Sequence, residues 1–344
     1  MGAVGPSGRV QIEPDWTEAD VDALAAEPSL EVLQYSEYNV PSRELLKLLN
    51  DRVFALRPDV LFRIYGFHLK EADLSALTFM TDIERLAVDC CSRVSGLSPL
   101  GGLSKLRELE LDVFELDSFE ALHEVRSDLV SLRLGKTRSK KPDLSVLKRF
   151  AALERLALNG QKKNIEVVQE LKSLRTVYVQ GIPLGDLGFL GSLPRLEKLD
   201  LGFGGAEKLE WLAGLSALEE LRLLRVKGLN DLSAVSALSR LRRLKIVDQP
   251  LIETLPALDS LPLLKRVVCD NVGLKKWDWA LTAPALDELV FLEMQTLTPE
   301  DFRQLIAERR PNRLTVSMKK TSANKEIQAV LEQEGLADKR GWWL

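Results

Sequence analysis

The chain has 344 residues, 45% of them hydrophobic and 28% charged, an ordinary balance for a protein that buries a sizeable core. Its net charge of −4 supplies no global basic field to hold a phosphate backbone, and no run of 18 apolar residues spans a bilayer. Three cysteines, two of them adjacent (Cys90 and Cys91), cannot build a disulfide framework and point to a reducing compartment.

The opening MGAVGPSGRV has no apolar core of signal-peptide length, and Pro6 stands where a myristoylation pattern needs Ser or Thr. Arg9 to Ile12 fit a short strand. Thr17 fits the N-cap of a helix reaching Glu27, with Asp20 in its first turn. Leu30, Leu33 and Tyr35 mark a further strand, and Ser42 to about Leu56 an amphipathic helix whose apolar face is Leu45, Leu46, Leu48, Leu49, Val53 and Leu56. Pro58 ends that helix, and residues 59–67 alternate as a strand. Residues 1–58 are therefore expected to form an N-terminal cap with a first atypical repeat.

From Ile83 a leucine pattern sets the period. Taking Ile83, Leu106, Leu129, Leu153, Leu174, Leu196, Leu218, Leu241, Leu264 and Leu286 as position zero, apolar residues recur at −9, −6, −3, 0, +3 and +5. The pattern is clearest between Leu187 and Ile246. Self-similarity at steps of 21 to 24 residues is the signature of leucine-rich repeats. Residues +3 and +5 point inward along a strand and +2, +4 and +6 outward, while spacing by three predicts short 3-10 turns. A lone repeat cannot bury its own leucines, at roughly 1.5–3 kcal/mol each, so the repeats must stack. Cys269, at a +5 position, reads as a small buried hydrophobe rather than a reactive thiol.

The array is expected over 59–297. Beyond it, Thr298-Pro299-Glu300-Asp301 starts a helix reaching about Arg310, residues 313–318 form a last strand, and Ser322 caps a helix through Glu334 that stops at Gly335. Residues 298–344 make a C-terminal cap on which Trp342 and Trp343 pack. The expected fold class is α/β: a leucine-rich repeat solenoid, one continuous domain, with a gently curved parallel β-sheet on the concave face, 3-10 turns on the convex face and helical caps at both ends.

No residue set argues for a reaction. Gly135-Lys136-Thr137 matches the end of a phosphate loop, but Val130 stands where its first glycine belongs; Gly202, Gly204 and Gly205 lack a last glycine, because Glu207 occupies that place. The basic run 136–142 reads as a solvated loop. Only His68 and His123 are present, and neither lies at ligand spacing from Cys90 or Cys91, so no metal and no small-molecule cofactor is expected.

Function is expected on the outward strand face, whose candidate protein-binding residues are Arg63, Tyr65, Arg85, Glu108, Glu110, Arg133, Arg155, Tyr178, Lys198, Asp200, Arg222 and Lys245. Arg85 beside Glu108, Glu110 beside Arg133 and Asp200 beside Arg222 either pair with one another or recognise a partner by complementary charge. The segments LEKLDLGFGG, LEELRLLRVKGLNDLSAVSAL and LRELELDVFELDSFEAL resemble bacterial leucine-rich repeats of the internalin-like, 22-residue kind, over about residues 60–292. The chain departs from that pattern at +8, where Phe67, Cys91, Phe114, Thr137, Gln161, Ile182 and Gly204 replace asparagine, so backbone groups at that corner need other partners. Internalins are secreted; without their export signal and surface anchor, a host-receptor role is not implied. The expectation is a cytoplasmic, non-enzymatic scaffold for a protein of unknown identity, with no nucleic-acid or membrane partner. The alternative is an immunity or inhibitor protein that neutralises a bacterial toxin or enzyme.

Overall fold

A computed structural model describes residues 8–67 and 71–336; His68, Trp342 and Trp343 lie outside the described residues. The chain divides into two compact units, residues 1–174 and 175–344. The first contains β1 (Arg9–Gln11), α1 (Glu18–Ala25), β2 (Val32–Ser36), α2 (Arg43–Leu49), β3 (Leu61–Tyr65), β4 (Glu71–Asp73), β5 (Arg85–Cys91), β6 (Arg93–Ser95), β7 (Glu108–Val113), β8 (Ser131–Leu134) and β9 (Arg155–Asn159). Strands β1, β2, β3, β5, β7, β8 and β9 are hydrogen-bonded in that order, all parallel. β4 and β6 form a small parallel pair of their own, which the periodicity does not announce.

The second unit contains β10 (Thr176–Gln180), β11 (Lys198–Gly202), β12 (Glu220–Leu224), β13 (Arg243–Gln249), β14 (Arg266–Val272), α3 (Trp279–Thr282), β15 (Glu288–Met294), α4 (Pro299–Glu308), β16 (Arg313–Met318) and α5 (Thr321–Gln333). Its seven strands are parallel and pair in sequence order.

Most repeats return from strand to strand through the leucines spaced by three; between β14 and β15 the return is instead the short α-helix α3, with Trp277, Ala280 and Ala283 at those positions. Leu212 N–H donates to the Leu209 carbonyl (3.0 Å), Leu215 to Leu212 (2.9 Å) and Leu218 to Leu215 (3.1 Å). These i to i+3 bonds are those of a 3-10 turn, and all four leucines are buried. The +3 and +5 residues of each strand complete the core, with Leu199 2% exposed and Cys269 fully enclosed. Helix ends follow their local chemistry. Thr17 with Asp20, and Thr298 with Asp301, form reciprocal capping boxes at α1 and α4.

Two helices differ from the sequence expectation. The helix begun at Ser42 is α-helical only to Leu49 and continues as a π turn over Asn50–Phe54. That wider turn buries Val53 and Phe54 and leaves Leu56 on the outside, 71% exposed. α5 starts at Thr321 behind Lys320, with no side-chain cap from Ser322. Its anchoring comes instead from the edge of β16. Asn324 Oδ1 accepts from Met318 N–H (2.9 Å) and Gln328 Nε2 donates to the Val316 carbonyl (2.7 Å), pairing groups that an edge strand leaves open. Gly335, at φ +67°, then ends the helix as expected.

The end of each strand holds a feature that simple alternation misses. By period two, +7 should point inward like +3 and +5, and +8 outward. Yet +8 is buried at Cys91, Gln161, Ile182, Val226, Gln249, Val272 and Met294. The cause is a left-handed residue at +7: Cys90, Gly160, Gly181, Phe203, Arg225, Asp248, Asn271 and Glu293 all have φ between +49° and +88°. One such residue reverses the parity of the strand, as a bulge does, and throws the next side chain into the core. Val113 is the control. It has no positive φ, stays buried at +7, and leaves Phe114 39% exposed at +8. Where β5 meets β7 the register accordingly shifts, so that Cys91 faces Val113.

Parity reversal also resolves the missing asparagines. Gln161 is fully buried at +8; its Nε2 donates to the Gly135 carbonyl (2.6 Å) and its Oε1 accepts from Asn159 N–H (2.8 Å). Gln249 is 1% exposed and binds the adjacent rung: its oxygen accepts from the N–H groups of Arg225 (3.1 Å) and Val226 (2.7 Å), and its nitrogen donates to the Val226 carbonyl (2.9 Å). Gln249→Ala removes three partners from buried backbone and should cost about 2–4 kcal/mol. Urea unfolding followed by circular dichroism measures it, and a loss under 0.5 kcal/mol would contradict this role.

Candidate functional site

The outward arginines of the first unit's repeats are ion-paired. Arg63, Arg85, Arg133 and Arg155 meet Asp89, Glu108 and Glu110 on the same strand face. The Arg63 guanidinium grips Asp89 through two bonds of 2.6 Å and donates to Gln34 (2.7 Å). Glu108 bridges Arg85 (3.1 Å) and Arg155 (2.7 Å), the latter reaching across the small side chain of Ser131. Arg133 lies 3.0 Å from Glu110. Tyr65, a candidate binding residue, is half-buried: its hydroxyl donates to Gln11 (3.0 Å), and the Arg63 guanidinium lies 4.8 Å from its ring centre.

The glycine of Gly135-Lys136-Thr137 has a local explanation. A Cβ at Gly135 would coincide with the carboxylate of Asp112, so the site is small to admit that side chain. Its N–H is engaged by the Leu111 carbonyl (2.8 Å) rather than offered to an anion.

In the second unit the outward face carries a cavity of about 450 Å³ whose charged lining is Lys198, Arg222, Arg243, Lys245, Arg266 and Arg313 against Asp200, Glu220 and Glu288. All three carboxylates meet cations, although Asp200 Oδ1 is buried without a partner. Asp200 meets Arg222 (2.8 Å), Glu220 meets Lys198 (3.1 Å) and Arg243 (3.0 Å), and Glu288 meets Arg266 (3.3 Å) and Arg313 (3.6 Å). The row at +4 runs Tyr178, Asp200, Arg222, Lys245, Val268, Val290, Thr315 across adjacent strands, turning from charged to apolar between β13 and β14. Val268 and Val290 face outward yet are only 7% and 8% exposed, so the cavity is deep there. Gln328 and Leu331 of α5 line its end.

Five candidate residues thus come together in this cavity: Tyr178, Lys198, Asp200, Arg222 and Lys245. The other seven belong to the network of the first unit. Choosing residues by sign alternation missed Arg243, Arg266, Val268 and Val290, although their +2 and +4 positions place them on the face. Arg313 and Thr315 follow from carrying the same count into β16. Nothing in the sequence announces Gln328 or Leu331, because where a terminal helix docks is not written in a repeat.

Outside these two sets, no helix among the described residues is long and apolar enough to cross a membrane. No three His, Cys, Asp or Glu side chains among them converge to hold a metal ion.

Neither a protein-family model nor a curated protein matches the sequence. Among solved structures, an internalin of Listeria monocytogenes is similar, with a TM-score of 0.50 at 20% identity over 87% of this chain and 83% of that one. The fold is a leucine-rich repeat. A leucine-rich repeat protein of Leptospira interrogans is similar as well, 15% identical over 90% of this chain and 84% of its own, with a TM-score of 0.49. At these identities the likeness concerns the fold alone.

Two titrations follow from the repeat geometry. Burial, with Asp89 and Asp112 nearby, lifts the Glu110 carboxyl above its ordinary 4.5 despite Arg133. The neutral form is thus favoured in the fold, so the contribution of this group is complete below pH 4.5 and is lost as pH rises through the raised value. Glu110→Gln should therefore stabilise the protein by about 0.5–1 kcal/mol at pH 7 and by nothing at pH 4, read from thermal melts at both. Burial also pushes the thiols of Cys91 and Cys269 up to about 12. A thiol reagent at pH 8 should modify Cys90 slowly and the other two only after unfolding; fast labelling of two thiols in the native protein would contradict this.

Proposed function

We propose that this protein is a non-enzymatic scaffold that holds a partner protein against its outward strand face, with the cavity of the second unit as the gripping site. One observation carries the reading: the second unit's face holds a cavity lined by six cations and three carboxylates, and one of those cations, Lys245, has no described carboxylate at ion-pair distance. Folding explains the paired charges. A cation left over costs repulsion from its neighbours, which a partner of opposite charge relieves.

Tyr178, 43% exposed, supplies an aromatic anchor, and the nearly enclosed Val268 and Val290 make the far end of the cavity apolar. In this reading residues 59–297 are the working repeats, and 1–58 and 298–344 close the ends of the array. Three free cysteines agree with a reducing, cytoplasmic setting.

The test is affinity capture from a lysate of the source cell with the native chain and with Arg222→Glu/Arg243→Glu/Lys245→Glu. A protein retained in stoichiometric amount by the native chain should be lost by the variant, which must still show the native circular-dichroism spectrum and a cooperative melt even though the lost Arg222–Asp200 and Arg243–Glu220 pairs lower its melting temperature. Identical capture profiles would overturn the assignment.

A further inference from the structure

The geometry points to an acidic, extended peptide segment carrying an apolar block as the occupant of the second unit's cavity, an inference that rests on the scaffold reading above and narrows it to one class of partner. The argument begins with groups that the fold itself leaves unmatched. Lys245 has no described carboxylate at ion-pair distance; Asp270 acts on it only from farther away. Arg222 Nε is buried without a hydrogen-bond acceptor. Arg266 Nε is 3.3 Å from Glu288 but lacks the alignment of a hydrogen bond. Buried donors without partners are costly in a native structure. Asp200 Oδ1 in the same lining is buried without a partner too, so the enclosed atoms favour neither sign, and the accessible unmatched group is the Lys245 ammonium, which a carboxylate answers.

The arrangement of the lining decides between kinds of anion. A nucleic acid presents charge at every step and needs an unbroken cationic track. The rungs of this face interrupt the cations with Asp200, Glu220 and Glu288, and from β14 onward the +4 row is apolar. A polyphosphate would meet fixed negative charge at one end and valines at the other. A polypeptide can place its acids and its apolar side chains separately, and a cavity of about 450 Å³ accepts a few of them.

Strand spacing sets the register of that peptide. Parallel strands lie about 4.8 Å apart, so the Arg222–Lys245 pair on β12 and β13 is about 10 Å from the Val268–Val290 pair on β14 and β15. An extended chain covers about 3.3 Å per residue and crosses that interval in about three residues. The segment should therefore carry acids and, about three residues away, large apolar side chains.

The probe is a fluorescein-labelled peptide of three acidic residues, a Gly-Ser spacer and Leu-Phe-Leu, made in both orders and measured by fluorescence anisotropy on the full chain. One order should bind, with affinity falling at least tenfold between 50 and 300 mM salt, roughly as expected when a few exposed charges are screened. Lysines in place of the acids, or serines in place of the apolar block, should each weaken binding at least tenfold. So should Lys245→Glu and Val290→Asp in the protein, with Lys245→Ala as a milder variant should either fail to fold.

Equal binding of the lysine peptide, or tighter binding of a single-stranded oligonucleotide of matched charge, would overturn the inference. So would a dimer in sedimentation that Lys245→Glu disperses, since the cavity would then serve a second copy. Failure of both peptide orders while the triple variant still loses its partner from lysate would refute the acidic-segment class and leave the scaffold reading standing.

Discussion

A strand of four to seven residues has backbone donors and acceptors on both edges and satisfies none of them by itself. In this protein they are satisfied by the strand before and the strand after, in register, rung upon rung, and at β16 by side chains of α5. Everything else accommodates that requirement. The leucines spaced by three fold the return path into 3-10 turns narrow enough to match strand spacing, and within each unit the inward residues merge into an apolar column because each rung repeats the last. The outward side chains, freed from packing, are stacked in rows whose neighbours are fixed by the ladder, so each row is read across the repeats rather than along one strand.

The left-handed residue at the end of most strands is the second constraint. It turns the chain out of the sheet and reverses side-chain parity at the same point. In Phe203, Arg225 and Glu293 that conformation is held by residues with a Cβ, at roughly 1–2 kcal/mol each. Burial of the following side chain offsets that cost: Val226 and Met294 are each nearly enclosed. Where the following residue is glutamine, the gain is polar, since Gln161 and Gln249 satisfy the backbone of the neighbouring rung. Glutamine at two corners takes on work that asparagine does in the more common pattern, one methylene longer and only where that rung needs it.

Most of the fold was legible because a leucine repeated at fixed offsets is a statement about packing. The +3, +5 and 3-10 positions followed from it, while the N-caps at Thr17 and Thr298 were announced separately by a threonine before an acidic first turn; that both are reciprocal capping boxes came from the structure. The corner was illegible because residues such as Phe203, Arg225 and Glu293 carry no compositional mark of a left-handed conformation; the available signal was an apolar residue recurring at +8 behind a polar one. The candidate site was half legible. Alternation of sign picked out pairs like Asp200 and Arg222 but does not say which cation is left over; that Lys245 lacks a carboxylate at ion-pair distance among the described residues is visible only in space. Arg63 and Tyr65 looked available in sequence and are occupied in space, because Asp89, Gln34 and Gln11 come from other strands.

The way α5 lies against β16 has a consequence for how such a molecule changes size. Every rung presents the same unfilled edge to whatever comes next, so nothing within a repeat specifies how many there are. Growth halts where two amides, Asn324 and Gln328, occupy the hydrogen-bonding sites that another rung would take. Duplication or loss of internal rungs can therefore lengthen or shorten the chain without redesign of its terminus, while erosion of those two side chains turns a finished edge into a template for unwanted polymerisation.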